Sequence, residues 1–326
     1  MLYFRFPFAE KIGTLNLSSE KEVVSFVSFD KKSKLDFKGE IEEISSEEFL
    51  KTPIFSTDIS QMVKEVTPES EQHYQKKIGT VIQFVKENQL SKLVISRRKL
   101  LKYDGNSVNL SQSFINLCAS YPNAFVYLFL EKGKCWMGAF SEVLGRFNKQ
   151  SGAFETMSLA GTLPLSETWT QKELQEQKTV TKFIEEVLNN FSEKIEISET
   201  QDHLSGNIKH LRTDFKASIQ PENLKELIAA LHPTPAVCGI PTEFCREAIS
   251  RFEEYPRNFY AGYIKVETAD FIQYFVNLRC AEFLNNAAFI YVGGGITAES
   301  IPEKEWQETE LKAEAILKNI DFREKS

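Results

Sequence analysis

The strongest constraint on the fold lies between residues 259 and 312. Three apolar, strand-like segments (259–266, 271–280 and 288–292) follow one another there without an intervening helix. The last runs into Gly293-Gly294-Gly295, and a helical stretch from Pro302 to Lys312 comes next. Upstream, strands and helices keep alternating. Residues 23–29 are apolar and β-branched, and residues 34–41 alternate with period two. Ile78, Val81, Ile82 and Val85 follow helical spacing in a helix that ends near Asn88. A buried strand is expected at 92–98, a helix at 111–119, and a hairpin from 124–131 and 135–140 across Lys132-Gly133. Residues 154–159 read as a strand entering Ala160-Gly161-Thr162. A long helix at 171–190 should place Leu174, Val180, Phe183, Ile184 and Val187 inward. Helices at 221–230 and 242–254 bracket Pro233 and Pro235, which impose an extended, rigid loop. Runs of strands with helices between hairpins predict a large, mostly antiparallel α+β fold.

The chain has 326 residues with 42% hydrophobic content, enough for a large core in one domain spanning 1–326. Its net charge of −7 argues against a nucleic-acid partner. No apolar run reaches the length of a membrane span, and the start has no basic segment followed by a long apolar one, so neither a span nor a signal peptide is expected. Five scattered cysteines without a CxxC argue against zinc and a disulfide framework, and fit a reducing cytoplasm. The 26 phenylalanines read as core packing.

Several residues could carry chemistry. Glycines let backbone N–H groups approach an anion, so the run at 293–295 reads as a cradle after a strand. Glu305 and Glu308 share a helix face, with Lys312 one turn on. Carboxylates able to hold Mg²⁺ then lie beside an anion cradle; the same pattern also describes a tight turn and a solvated Glu308–Lys312 ion pair. Glu173 and Glu176 form a second acidic pair at the same spacing, and Mg²⁺ takes only one or two carboxylates with substrate oxygens. Lys92 sits at a strand entrance, either as a desolvated base or as a plain flanking lysine. Glu142, at a strand end, could be a general acid or a turn residue. Arg279 lies in an apolar strand and needs an anionic partner, from protein or substrate.

Taken together, Lys92-Leu-Val-Ile-Ser-Arg, Gly138-Ala-Phe-Ser-Glu142, Leu159-Ala-Gly-Thr162, Leu231-His-Pro-Thr-Pro-Ala-Val-Cys-Gly239, Tyr260-Ala-Gly262, Leu278-Arg-Cys280, Gly293-Gly-Gly-Ile296 and Glu305-Trp-Gln-Glu-Thr-Glu-Leu-Lys312 resemble the chorismate-utilising enzymes, most of all the isochorismate synthases of menaquinone or catechol-siderophore pathways. The match runs from about residue 74 to 317. The resemblance implies large antiparallel sheets packed together with helices outside, and a catalytic core at 69–320 behind a short strand region at 1–68. It implies Lys92 as the base that activates water and Glu142 as the acid that protonates the departing hydroxyl. Glu176 and Glu308 match the main Mg²⁺ ligands, with Glu173 and Glu305 as nearby second carboxylates. Arg279, Lys312 and the backbone at Gly293 and Gly295 match groups that hold the substrate carboxylates. Gly161, Thr162, His210, Ala236 and Tyr260 match other positions around the ring. The implied reaction is Mg²⁺-dependent conversion of chorismate to isochorismate, with menaquinone as the expected pathway and a cytoplasmic monomer as the expected form.

Relatives with other outcomes are distinguished by single positions. Aminodeoxychorismate synthases carry a lysine where this chain has Ala160, and anthranilate synthases lack the lysine matched by Lys92. Salicylate synthases share Lys92 and Glu142 but tend to have threonine at the position of Ala236. A salicylate synthase and a non-catalytic chorismate-binding protein remain the alternatives. Two departures stand out. Leu174 and Gln177 replace an arginine and a histidine usual in the family's metal helix, and about 70 residues precede the first recognisable helix, which is shorter than usual.

Overall fold

The computed structural model describes residues 1–16, 21–103, 106–206 and 208–323. In chain order it forms β1 (Leu2–Arg5), β2 (Ile12–Asn16), β3 (Glu22–Val27), β4 (Lys34–Lys38), β5 (Glu40–Ile44), α1 (Ser46–Leu50), α2 (Glu71–Glu87), β6 (Lys92–Lys102), β7 (Ser107–Asn109) and α3 (Leu110–Ser120). Next come β8 (Phe125–Glu131), β9 (Lys134–Phe140), β10 (Val143–Asn148), β11 (Ala153–Pro164), α4 (Gln171–Asn189), β12 (Ile195–Ile197), β13 (Gln201–Ser205) and β14 (Ile208–Ser218). The chain closes with α5 (Leu224–Leu231), β15 (Gly239–Ile240), α6 (Thr242–Phe252), β16 (Tyr263–Glu267), β17 (Phe271–Val276), β18 (Cys280–Phe283), β19 (Ala287–Ile296), α7 (Pro302–Leu317) and β20 (Asp321–Arg323).

Two nine-stranded antiparallel sheets dominate. The first runs β15-β6-β19-β18-β9-β8-β1-β2-β5; the second runs β12-β14-β11-β10-β17-β16-β3-β4, with β13 also paired to β14. The α+β expectation holds. Strands from the first 44 residues extend both sheets.

Alternation along β8 shows how the layers form. Phe125, Tyr127 and Phe129 enter one core cluster with Phe4, Phe26 and Phe275, while Val126 and Leu128 enter another with Phe114 and Leu117 of α3 and Ile316 of α7. Successive strand residues face opposite sides, so an uninterrupted apolar run marks a strand covered on both faces. Phe125 stacks on Phe275 of the other sheet at 4.4 Å between ring centroids. Each such buried side chain contributes about 1.5–3 kcal/mol by leaving water.

Two single segments from the sequence each become two strands, and a third is shortened. The 34–41 segment splits at Gly39, whose φ is +145°: β4 belongs to the second sheet and β5 to the first. The 271–280 segment splits likewise into β17 and β18, on different sheets. The 259–266 segment yields a strand only from Tyr263; before it the chain turns, with Asn258 and Ala261 at positive φ. The Pro233–Pro235 loop also differs. Val237 N and Cys238 N both donate to Thr234 O, so it bends where an extended run was expected, and its His232–Pro233 peptide is cis.

Two sheet crossings lie side by side. β9 leads into β10 through Ser141 and Glu142, and β17 leads into β18 through Asn277 to Arg279. They are hydrogen-bonded to each other: Val276 N donates to Glu142 O at 3.1 Å, and Ala139 N donates to Arg279 O at 3.2 Å. The candidate site opens at this junction.

Candidate active site

The glycine run is a strand, not a turn. Gly293, Gly294 and Gly295 lie inside β19, opposite Ser96, Ile95 and Val94 of β6. On the other side, β18 begins with Cys280 opposite Tyr291, so among the described residues β19 has no neighbouring strand there beyond Tyr291. That bare edge forms a wall of a cleft. Glycine is needed for space. A Cβ on residue 295 would lie 2.3 Å from Lys92 Cε and 2.5 Å from Glu176 Oε1. One on residue 293 would lie 2.9 Å from the Tyr260 hydroxyl. Lys312 Nζ donates to Gly293 O at 2.9 Å, so a cation already sits at the strand edge.

Lys92, the first residue of β6, is 2% exposed and its Nζ lies 2.5 Å from Glu176 Oε1. Burial raises the Glu176 pKa, but Lys92, Lys172 and Lys312 outweigh it and hold the carboxyl below its ordinary value. Glu142 is the opposite case. Burial pushes its pKa up to about 8, only partly offset by Lys92 and Arg279. At neutral pH it therefore carries a proton in a site where Glu176 does not.

Arg279 stands at the second crossing, at a φ of +44°. Its Nη2 donates to His210 Nε2 at 2.6 Å, and its Nη1 donates to Ser205 Oγ. His210 Nδ1 lies 2.8 Å from Gly161 O, so this nitrogen carries the proton and Nε2 accepts. Burial and the adjacent Arg279 charge push His210 well below its ordinary pKa, in keeping with a neutral ring. The ring thus ties Arg279 to the Gly161–Thr162 loop.

The acidic helices contribute unequally. Glu173 does not face the cleft. Its Oε2 accepts from Thr170 N at 3.0 Å and from Thr170 Oγ1, closing a capping box at the start of α4. Its expected place as a second metal carboxylate is corrected accordingly. Glu305 is 1% exposed; its Oε1 accepts from Lys172 and Ser300, while Oε2 has no partner. Burial, then the Glu308 charge, raise its pKa. Glu308 pairs with Lys312 at 2.6 Å. Glu305 and Glu308 both approach Gly294, and Glu176 approaches Gly295. This donor set suits Mg²⁺: the donors are hard carboxylate oxygens, and one of them is buried without a partner.

Lys92, Glu142, Gly161, Thr162, Glu176, His210, Ala236, Tyr260, Arg279, Gly293, Gly295 and Lys312 all line the one cleft. Sequence reasoning passed over Lys172 and Ser205. Lys172 stood within the acidic helix motif, and its position one residue before Glu173 was a usable signal; nothing in the sequence pointed to Ser205. The replaced family positions also have an account. Gln177 points into the second sheet, donating to Ser158 Oγ at 2.8 Å and Thr213 Oγ1 at 3.2 Å, and Leu174 is half-buried. The altered helix thus changes packing behind the site.

The family model described as chorismate binding enzyme matches residues 17–321. The chain belongs to this family. Isochorismate synthase DhbC of Bacillus subtilis is 36% identical over 45% of this chain and 38% of its own length. The vibriobactin-specific isochorismate synthase of Vibrio cholerae is 27% identical over 84% of this chain and 72% of its own. For isochorismate synthase MenF of Escherichia coli the values are 26%, 83% and 66%. In two of these three comparisons the match spans less than two thirds of the relative. Among solved structures, MenF of E. coli superimposes with a TM-score of 0.76 at 19% identity, covering 98% of this chain and 88% of that one. Anthranilate synthase component I of Streptococcus pneumoniae gives 0.69 at 19%, covering 93% and 82%. The chorismate-binding fold is therefore shared with enzymes of different names. Among the described residues of this chorismate-binding enzyme, no helix is long and apolar enough to cross a membrane.

Proposed function

We propose that this chorismate-binding enzyme is an isochorismate synthase. Water adds at C2 of chorismate, the C1=C2 and C5=C6 electron pairs move to C1=C6 and C4=C5, and the C4 hydroxyl leaves. Lys92, as the base, takes the proton of the attacking water, and Glu142, as the acid, gives its proton to the departing hydroxyl, which leaves as water. The observation that carries this reading is the Glu142 carboxyl, buried in the same cleft as Lys92 and held at about 8, so that a protonated acid is available at neutral pH. General acid and base groups of this kind contribute about 10²–10⁴-fold each.

Arg279 and Lys312 supply positive charge for two substrate carboxylates, and the bare β19 edge supplies backbone groups beside them. Glu176, Glu305 and Glu308 would hold Mg²⁺, which stabilises negative charge on the ring carboxylate when bound. The resting pairs with Lys92, Lys172 and Lys312 offset part of the repulsion among these carboxylates. Relatives are named for both menaquinone and siderophore routes; menaquinone is our inference for this chain. Rescue of a gene deletion by menaquinone, and not by a catechol siderophore, tests it. A salicylate synthase would release pyruvate, so pyruvate measured beside the ring product separates that reading. Tight chorismate binding without turnover would instead mark a non-catalytic binding protein.

A further inference from the structure

The β13–β14 hairpin stands beside both sheet crossings. In its ladder His203 lies opposite His210, and Ser205 lies opposite Ile208. Directly opposed residues share a face, and so do alternate residues of one strand, so His210, His203 and Ser205 point the same way. That way is toward the crossings. His210 Nε2 accepts from Arg279 Nη2 at 2.6 Å, and Ser205 Oγ accepts from Arg279 Nη1. His203 Nε2 lies 2.9 Å from Ser141 Oγ, one residue before Glu142. The other face of the hairpin is fastened outward. Asp202 accepts from Trp169 Nε1 at 2.7 Å and pairs with Lys209 at 3.5 Å. Asn123 donates to Leu204 O at 3.2 Å.

The groups that hold Arg279 are both uncharged. One is a hydroxyl, and the other is the imidazole that burial and Arg279 itself keep neutral. The acidic groups that act on the guanidinium are Tyr121 and Glu142, and Glu142 carries a proton at neutral pH. This choice of partners matters for an anion site. A long arginine side chain must lose its rotamer freedom before its planar fork can grip a carboxylate. A carboxylate of the protein would fix the fork but would also cancel its charge. A hydroxyl and a neutral ring fix it and leave the charge for a ligand. Ser205 is buried, so its hydroxyl is not simply exchanged for bulk water.

We propose that Ser205 is a positioning residue for substrate binding: it holds Nη1 of Arg279, as His210 holds Nη2, and so presets the fork for a substrate carboxylate. The inference rests on the reading above, in which Arg279 takes such a carboxylate. His203 supports the arrangement from two residues away, because its contact with Ser141 keeps β13 against the crossing that leads to Glu142. The benefit is preorganisation. The cost of ordering the side chain is met in folding, so less of it is charged against binding.

The test is a double-mutant cycle on chorismate affinity, read by isothermal titration of the full-length protein to about 10 mM chorismate in EDTA, a range that detects millimolar binding. It reads binding without turnover, so it does not depend on which product is formed. The expected result is affinity weakened at least about tenfold in Arg279→Met and about fivefold or more in Ser205→Ala. Added to Arg279→Met, Ser205→Ala should change affinity less than about twofold, because its effect runs through the fork. A merely structural role would persist in that background. Circular dichroism identifies any variant that has failed to fold, and the near-isosteric Ser205→Cys then takes the place of Ser205→Ala. Normal affinity in the Ser205 variants beside weakened Arg279→Met would overturn the inference and leave the Arg279 assignment standing. Normal affinity in Arg279→Met would overturn both. Equal losses from Ser205→Ala with and without Arg279 would also overturn the inference.

Discussion

Lys92 Nζ and Glu176 Oε1 meet at 2.5 Å over Gly295, in the space that a side chain at residue 295 would occupy. The ion pair joins the entrance of β6 to helix α4, and the absence of a single Cβ makes room for it. Gly295→Ala should therefore reduce turnover by about a hundredfold or more, the scale of a general base displaced from its position. Steady-state kinetics with a thermal melt checks this. A fully active alanine variant would show that the pair does not need this space.

Glu142→Gln removes the proton donor while keeping the shape of the side chain. We expect kcat to fall about 10²–10⁴-fold with KM changed far less. The pH profile gives a second readout. The acid form donates, and its pKa is raised to about 8, so activity of the unmodified protein should fall as pH rises through about 8. Glu142→Gln should lack that alkaline limb. The same shift has a stability sign. A carboxyl raised from its ordinary 4.5 favours the native state fully below that value, and the contribution disappears as pH rises through about 8. Urea midpoints at pH 5 and pH 9 should differ less in the variant.

Chelation should abolish turnover, and added Mg²⁺ should restore it. Glu308→Gln should raise the Mg²⁺ concentration for half-maximal activity by at least about tenfold. Glu173→Gln should leave that concentration near its original value and lower the melting temperature slightly, because Glu173 caps α4. Activity titrations with Mg²⁺ distinguish the two. Equal effects on Mg²⁺ affinity would return Glu173 to the metal site.

Gly39 turns the chain from one sheet to the other at a φ of +145°, and a Cβ there would meet Asn16 O at 2.3 Å. Gly39→Val should cost about 2–4 kcal/mol through strain and steric conflict. Denaturant unfolding reads this directly. The substrate cleft is elsewhere, so KM measured on the folded protein should stay close to the original.

The sequence pattern revealed much of this molecule because most elements keep one face to one core. The α2 positions Ile78, Val81, Ile82 and Val85 are buried as their spacing implies. Segments that cross between the sheets were not legible. Residues 271–280 stay largely apolar because both sheets have buried faces, so the apolar pattern continues across the change of sheet. Asn277 and Arg279, polar residues late in that run, marked the break. On α4, the 173–176 spacing indicated a shared helix face, but Thr170 captures the first carboxylate for the helix end. The 293–295 run read as an anion cradle after a strand, or as a tight turn, because glycine is usual in both. Here glycine is required by side chains from other strands and helices, and the local sequence carries no record of them.

The most direct test of the account is a product assay with purified protein, chorismate and Mg²⁺, the products being separated by chromatography beside an EDTA control. The account predicts isochorismate without pyruvate, lost on chelation. Salicylate with an equal amount of pyruvate, or no turnover despite chorismate binding, would contradict it.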